Sequence, residues 1–347
     1  MITITETFAS VGIDLGDRVA HYACLDQAGA IVEEGTVEMK PESFRRQFGA
    51  MEPTVIALEA GAQSRWASQV LEELGHDVVV ANARQLKLIT ASNRKNDVND
   101  ARLLARLARV DTSLLHPVEH RGDAQQVTLV AIRARAQLVK MRTAAMLSLR
   151  GMVKCFGVRL PRATSDRFLE RCRQAVPEPL RRALDGVLDV IATLTAQIMS
   201  YDEQLEETAR KQYAPVARLA EIYGIGPLTA LTYVVTLGDP QRFTKSRDVG
   251  CYLGLTPSQR QSGDQDPQLR ISKAGDPYLR SLLVQCAHTL LRDHAPDSAL
   301  RRWGLRLCAR GGKNAKKRAV VAVARKLAVL LHRLWVTGEH YRPNPGY

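Results

Sequence analysis

The chain has 347 residues, with 49 Lys and Arg against 36 Asp and Glu, 45% apolar residues and 5% aromatic residues. At roughly 100–200 residues per domain, that length holds two or three domains with sizeable cores, which excludes a disordered tail. The net charge of +13 points to a polyanionic partner, because Lys and Arg that neutralise phosphates release condensed counterions. Residues 1–90 hold 7 basic and 13 acidic side chains, whereas residues 91–347 hold 42 and 23. An acidic head on a basic body suggests that one part does chemistry and the rest holds nucleic acid. The six cysteines lie far apart, without a CxxC pair or zinc-type Cys/His spacing, so thiols in a reducing compartment are the simplest reading. Met1–Glu6 lacks the basic and apolar regions of a signal peptide, and no uninterrupted apolar run approaches about 18 residues. A soluble cytoplasmic protein without a membrane partner is expected.

Val11–Leu15, Val19–Leu25 and Ile31–Glu38 read as three strands, the last two joined by a turn at Asp26–Gly29. Pro41–Phe48 reads as a helix with Pro in its first turn, and Val55–Leu58 as a buried parallel strand. Ser64–Leu74 is helical by period and ends at Gly75, and Val78–Ala81 is the next strand. That order is the order of an α/β ribonuclease-H-like domain. From Asp97 onward the pattern is helical: Ala101–Val110, Gln125–Cys155, and Leu180–Lys211 after breaks at Gly157–Pro161 and Pro177–Pro179. In the last segment Leu184, Val187, Leu188, Ile191, Leu194, Ile198, Tyr201 and Leu205 trace a near-heptad stripe. An intrachain helical hairpin and a dimerising coiled coil fit that stripe equally. The expected domains are residues 1–112, a helical coiled-coil region 113–214, and a mostly α-helical C-terminal domain 215–340.

Four acids stand out. Asp14 sits within the first apolar strand, where a carboxylate is costly to bury without a counter-charge or metal. Glu59 follows the Val55–Leu58 strand, at the edge where open α/β sheets place ligands. Asp97 and Asp100 share one face at the start of a helix. The plainer reading of that pair is dipole-favoured acids at a helix N-terminus. In a ribonuclease-H-like arrangement all four converge at one end of the sheet, and converging carboxylates repel unless divalent cations sit among them. Two Mg²⁺ ions, about 3.5–4 Å apart, would then activate one oxygen and stabilise the leaving oxygen of a phosphodiester.

Val11-Gly12-Ile13-Asp14, Ala57-Leu58-Glu59-Ala60 and Arg94-Lys95-Asn96-Asp97-Val98-Asn99-Asp100-Ala101 resemble the bridge-RNA-guided DEDD insertion-sequence transposases. Tyr223–Ala230, Leu253-Gly254-Leu255-Thr256-Pro257, Gln261-Ser262-Gly263 and Ile271-Ser272-Lys273-Ala274-Gly275 follow in that family's order and approximate spacing. The resemblance spans about residues 10–340. It implies a RuvC-like first domain with Asp14, Glu59, Asp97 and Asp100 as Mg²⁺ ligands, donor and target DNA as substrates, a guide RNA, and a homo-oligomer (dimer or tetramer). The Asn96 and Asn99 spacers differ from the commoner Thr-bearing version. Residues Ser258–Ser272 hold three serines in a polar, turn-rich segment, and composition does not choose among Ser258, Ser262 and Ser272. The resemblance selects Ser262 as the nucleophile, leaving the enzyme covalently joined to a DNA end so that the bond energy is kept for resealing. Ser272 reads as a helix N-cap or phosphate contact. Ser262 lies in a different expected domain from the four acids, so a site completed across subunits is expected.

Gly224-Ile225-Gly226-Pro227 before an apolar helix, Leu228–Leu237, looks like half of a helix-hairpin-helix element whose backbone approaches a phosphate; a plain tight turn is the alternative. No acid occurs between Asp297 and Glu339, where eleven cations do, and a nucleic-acid backbone is their favoured partner. Gly224, Gly226, Arg260, Lys273, Arg310, Lys313, Lys316, Lys317 and Arg318 are the expected nucleic-acid contacts, with Gly311–Arg318 lying along a backbone and Val320–Leu334 packing as an amphipathic helix. Sparse aromatics argue against base stacking as the main mode of recognition. Two rivals use the same residues differently. A structure-selective nuclease would employ water and leave no protein on DNA, and an actin-like ATPase would need a second Asp-x-Gly phosphate loop, which is not found.

Overall fold

The computed structural model describes residues 8–82, 96–162, 164, 167–261, 267 and 269–344. The chain divides into two compact units, Met1–His120 and Arg121–Tyr347.

The first unit is built on a five-stranded sheet of β1 (Ser10–Leu15), β2 (Val19–Leu25), β3 (Ile31–Glu38), β4 (Val55–Glu59) and β5 (Asp77–Ala81), in the order β3-β2-β1-β4-β5. The β1–β2 and β2–β3 pairs are antiparallel, and the β1–β4 and β4–β5 pairs are parallel. Because successive strand residues point to opposite faces, β1 sorts its side chains by parity. Val11 and Ile13, with Ile56 and Leu58 of β4, enter a core with Phe44 and Phe48 of α1 (Pro41–Phe48) and Leu71 of α2 (Ser64–Glu73). Edge-to-face contacts among Tyr22, Phe44, Phe48 and Trp66 fill this side.

Ser10, Gly12 and Asp14 point the other way, toward α3 (Asp97–Val110). This helix lies unusually close to the sheet: a Cβ on Gly12 would sit 2.1 Å from the Ala101 carbonyl oxygen and 2.3 Å from the Ala105 nitrogen. Small residues on the helix make that approach possible, with Ala101, Ala105 and Ala108 all buried. The Ser10 hydroxyl fastens the contact by donating to the Ala105 carbonyl at 2.8 Å.

The second unit begins with two long helices, α4 (Asp123–Met152) and α6 (Glu178–Gln212). They run antiparallel: the start of α4 meets the end of α6 through Thr128 and Tyr213, 3.1 Å apart, while Leu149 shares a core with Leu184, Leu188 and Ile191 at the other end. The near-heptad stripe is therefore covered within the chain. α6 is the one helix among the described residues long and apolar enough, by length and composition, to cross a membrane. Leu184, Leu188, Ile191, Leu194, Ile198 and Leu205 are nonetheless buried in protein.

Sequence punctuation missed α5 (Phe168–Ala175), a short helix between the long ones. Pro179 does not interrupt α6, because it lies in the first turn, where its missing N–H is not needed. The remaining helices are α7 (Pro215–Leu219), α8 (Pro227–Leu237), α9 (Asp248–Tyr252), α10 (Pro277–Leu290), α11 (Ala299–Ala309) and α12 (Ala315–Thr337). α8 is apolar nearly all round and forms the centre of this core, where Tyr233 donates to the Ala328 carbonyl at 2.7 Å. The last helix starts five residues before the expected Val320, so Lys316, Lys317 and Arg318 occupy its first turn rather than an extended segment. Asp276 caps α10 through the Leu279 N–H at 2.8 Å, which corrects the N-cap reading of Ser272. Among the described residues no disulfide forms.

Candidate active site and nucleic-acid surface

Strand parity and register decide where the acids of the first unit go. Ile13 pairs with Leu58, which sets Asp14 beside Glu59 at the adjacent C-terminal ends of two parallel strands. Glu59 shares its face with Ala57, which packs against Leu104 of α3, so both carboxylates emerge on the α3 side. α3 in turn presents Asp97 and Asp100 at its N-terminus, on the same stripe as Ala101 and Leu104. Asn96 is the N-cap, accepting the Val98 N–H at 3.1 Å, so neither aspartate is used as the cap. Asp100 is 5% exposed, whereas the Asp97 side chain is 64% exposed. His21, opposite Asp14 on β2, lies 3.9 Å from Asp97.

The Asp14 carboxyl is pushed up to about 6, first by burial and then by the negative charges of Asp97, Glu59 and Asp100, with His21 opposing weakly. The four acids thus share one electrostatic environment. They are not gathered into a finished cage: among the described residues no group of three Asp, Glu, His or Cys side chains is close enough together to hold a metal ion as it stands. Asp14 and Glu59 line an open groove of about 310 Å³ with Leu15–Asp17 and Ala60–Gln63. Gln63 fixes its rim, donating to the Asp17 carbonyl at 2.9 Å and accepting the Trp66 indole N–H at 3.1 Å. Ser64 both accepts the Gly61 N–H and donates to the Gly61 carbonyl. Sequence reasoning missed Gln63 and His21, and no spacing signal distinguished them; only strand register could have placed His21.

In the second unit, the stretch around the candidate serines rises from a backbone clasp. The Ser258 N–H donates to the Arg270 carbonyl and the Ser272 N–H to the Thr256 carbonyl, both at 2.9 Å, around a Pro257–Ile271 bridge. Below it, Gly254 and Lys273 both take left-handed conformations (φ 64° and 57°), and the Lys273 N–H donates to the Gly254 carbonyl at 3.1 Å. A Cβ on Gly254 would stand 2.3 Å from the Ala274 nitrogen, and one on Gly275 would stand 2.3 Å from the Tyr252 carbonyl oxygen. Arg280 ties the halves together, one Nη1 donating to both the Leu253 and Gly275 carbonyls at 3.1 Å. The Leu253–Pro257 and Ile271–Gly275 motifs are therefore the two arms of one device, which brackets the candidate serines along the chain. Ser262 falls outside the described residues; Arg260, two residues after Ser258, and Lys273, in the second arm of the clasp, are both exposed.

Gly226 is exposed at the N-terminus of α8, where a Cβ would meet nothing within 4 Å, and Gly224 is left-handed (φ 86°) against α10. Arg310, Lys313, Lys316, Lys317 and Arg318 are all exposed around the Gly311-Gly312 turn that joins α11 to α12. Among the described residues no side-chain hydrogen bond or ion pair engages these five, whereas Arg302 pairs with Asp297 and Arg333 with Glu339, and Lys326 lies over Trp303.

An α/β unit with acids at its sheet edge and a basic helical unit are the parts of an enzyme that works on nucleic-acid phosphates. Residues 216–303 match the model described as "Transposase IS116/IS110/IS902 family", and residues 11–156 match a model described as "Transposase" for the DEDD transposases of IS110 type. A probable family 20 transposase of Pseudomonas aeruginosa is 30% identical over 96% of this chain and 98% of its own length. The transposase for insertion sequence element IS1111A of Coxiella burnetii is 29% identical over 96% and 91%. The transposase for IS1328 of Yersinia enterocolitica is 30% identical over 81% and 84%. The chain belongs to the IS110/IS116/IS902 family of insertion-sequence transposases and is a DNA transposase.

Proposed function

We propose that the chain cleaves and rejoins DNA by serine attack assisted by divalent metal, using an RNase-H-like, RuvC-like first unit. The observation that carries this reading is the convergence of Glu59, Asp97 and Asp100 on the half-buried Asp14. An all-oxygen donor set of this charge suits hard cations such as Mg²⁺, and the raised Asp14 carboxyl is the electrostatic cost that a cation offsets. Asp14, Glu59, Asp97 and Asp100 are the residues that would hold two such ions. When bound, these ions supply Lewis-acid stabilisation of charge on the phosphodiester oxygens.

The chain's own groups do the rest. Ser262 Oγ forms the bond to phosphorus as the bond from phosphorus to a deoxyribose oxygen breaks. The serine proton leaves to a base, and the departing sugar oxygen takes up a proton. Resealing reverses these steps with a new strand end. The clasp holds the two ends of the serine loop, while Gly224, Gly226, Arg260, Lys273 and the Arg310–Arg318 cations hold phosphates. A helix N-terminus with open space at Gly226 supports the helix-hairpin-helix reading of that segment. Guide RNA enters through the family resemblance and is compatible with a surface that grips backbones rather than stacking bases. A homo-oligomer working on cytoplasmic DNA completes the reading.

Two experiments test it. Asp14→Asn, Glu59→Gln, Asp97→Asn and Asp100→Asn should each lower donor-strand cleavage about a hundredfold or more, with DNA affinity nearly unchanged. Full cleavage by any two of them rejects the shared metal site. Sequencing RNA that co-purifies with the chain should return fragments from the element's own flanks, whereas random cellular RNA contradicts guidance.

A further inference from the structure

The far end of the α4–α6 hairpin is a small folded head with its own core. Leu149, Val153, Leu160, Phe168, Cys172 and Val176 pack there against the first turns of α6. Arg150 works inward: it donates to the Leu160 and Pro161 carbonyls at 3.0 Å and stacks over Phe168, with its guanidinium 5.0 Å from the ring centre. Of the others, Arg171 donates to the Arg162 carbonyl at 2.9 Å and Arg173 pairs with Asp189 at 4.0 Å, and four cations face outward. Lys154, Arg159, Arg162 and Arg167 are exposed, and among the described residues no side-chain hydrogen bond or ion pair engages them. Arg171 and Arg173 are exposed beside them, and Phe156, 62% exposed, stands on the same turn as Lys154.

The sequence shows how lopsided the region is. Between Leu149 and Glu178 lie seven Lys and Arg residues and two acids, Asp166 and Glu170. Concentrating like charges on a head this small costs self-repulsion, and a polyanion relieves it. The core and the Arg150 contacts also fix the head's shape, so its cations are presented on a structured surface rather than on a floppy tail.

We infer that this head is a second DNA-binding surface, which grips the phosphate backbone of duplex DNA away from the serine loop. The chain is a DNA transposase, which makes duplex DNA the polyanion at hand. The separation follows from helix geometry. Arg133 of α4 lies 3.6 Å from Asp276, next to the clasp residue Gly275, and the head begins at about Met152. Nineteen residues at 1.5 Å each put about 28 Å between them, or about 8 base pairs of duplex. The head therefore holds DNA flanking the segment bound at the clasp, through phosphates and without reading bases. This assignment needs neither the serine nor the metal.

The test uses the full chain carrying Lys154→Gln, Arg159→Gln, Arg162→Gln and Arg167→Gln together, with binding measured on a short duplex and on one extended by about 10 base pairs at each end. The expected result is that the native chain prefers the longer duplex and the variant loses that preference, about ten- to a hundredfold at moderate salt. The slope of log affinity against log salt on the longer duplex should fall by about 3.6, the value for four lost phosphate contacts. A companion variant carrying Arg159→Lys, Arg162→Lys and Arg167→Lys, with Lys154 unchanged, should keep both, which separates lost charge from lost fold. Unchanged affinity for the longer duplex overturns the inference. So does a loss confined to structured RNA of equal length, or a change in oligomeric state with DNA binding intact.

Discussion

Asp14 sits half-buried on a face it shares with three other acids, so the folded chain binds its proton more tightly than the unfolded chain does. Its carboxyl rises from 3.8 to about 6. A raised carboxyl leaves stability intact below pH 4 and subtracts from it as pH climbs through 6. Asp14→Asn should therefore stabilise the metal-free chain at pH 8 by about 1–2 kcal/mol after solvent screening, with no gain at pH 4, while abolishing cleavage. Denaturant unfolding at the two pH values reads this directly, and an equal effect at both contradicts the electrostatic account. Gly12 makes a different kind of point. Its Cβ position is occupied by the Ala101 carbonyl, so Gly12→Ala must push α3, and with it Asp97 and Asp100, off the sheet. A loss of about 1–3 kcal/mol, together with strongly reduced cleavage, is expected from thermal melting and activity. Both residues stood in the sequence inside a short strand motif. The metal candidacy of Asp14 was legible from its apolar surroundings. The reason for Gly12 was not, because it depends on a helix that begins 85 residues later.

Among the elements, strands and helices of the first unit could be read along the chain because period and punctuation agree: alternation in β2, Pro41 at the start of α1, Gly75 after α2. The clasp could not be read. Pro257 and Ile271 pair across a polar stretch with no strand periodicity, and the close approach of Gly254 and Gly275 to opposing backbone has no local signature. Nor did α5 show, since its Arg-rich sequence lacks a cap or a clear apolar period. The clasp yields its own prediction. Arg280→Ala should lower serine-dependent cleavage about tenfold or more while DNA affinity stays within about threefold, because one side chain bridges two carbonyls that position the loop. Arg280→Lys, which keeps a donor but not the fork, should recover part of the rate. Parallel loss of affinity and rate in both variants would show general unfolding instead.

Across the whole molecule, charge is divided as the sequence suggested, with the four acids in the sheet unit and the exposed cations of the Arg310–Arg318 turn in the helical one. The near-heptad stripe left two architectures open; within the chain α4 packs along α6, a pairing that no single-helix pattern contains. If the four carboxylates act as one cation-binding cluster, Mg²⁺ should raise the melting temperature of the native chain and leave that of Asp14→Asn unmoved.

In the proposed function this cluster serves a serine that captures a DNA end. The most direct measurement incubates labelled donor DNA with the chain, with and without Mg²⁺, and separates protein-linked DNA under denaturing conditions. A covalent product is expected that needs Mg²⁺, survives Ser258→Ala, and disappears in Asp14→Asn and Ser262→Ala. Cleavage that persists in chelator, or that releases DNA ends free of protein, would contradict it.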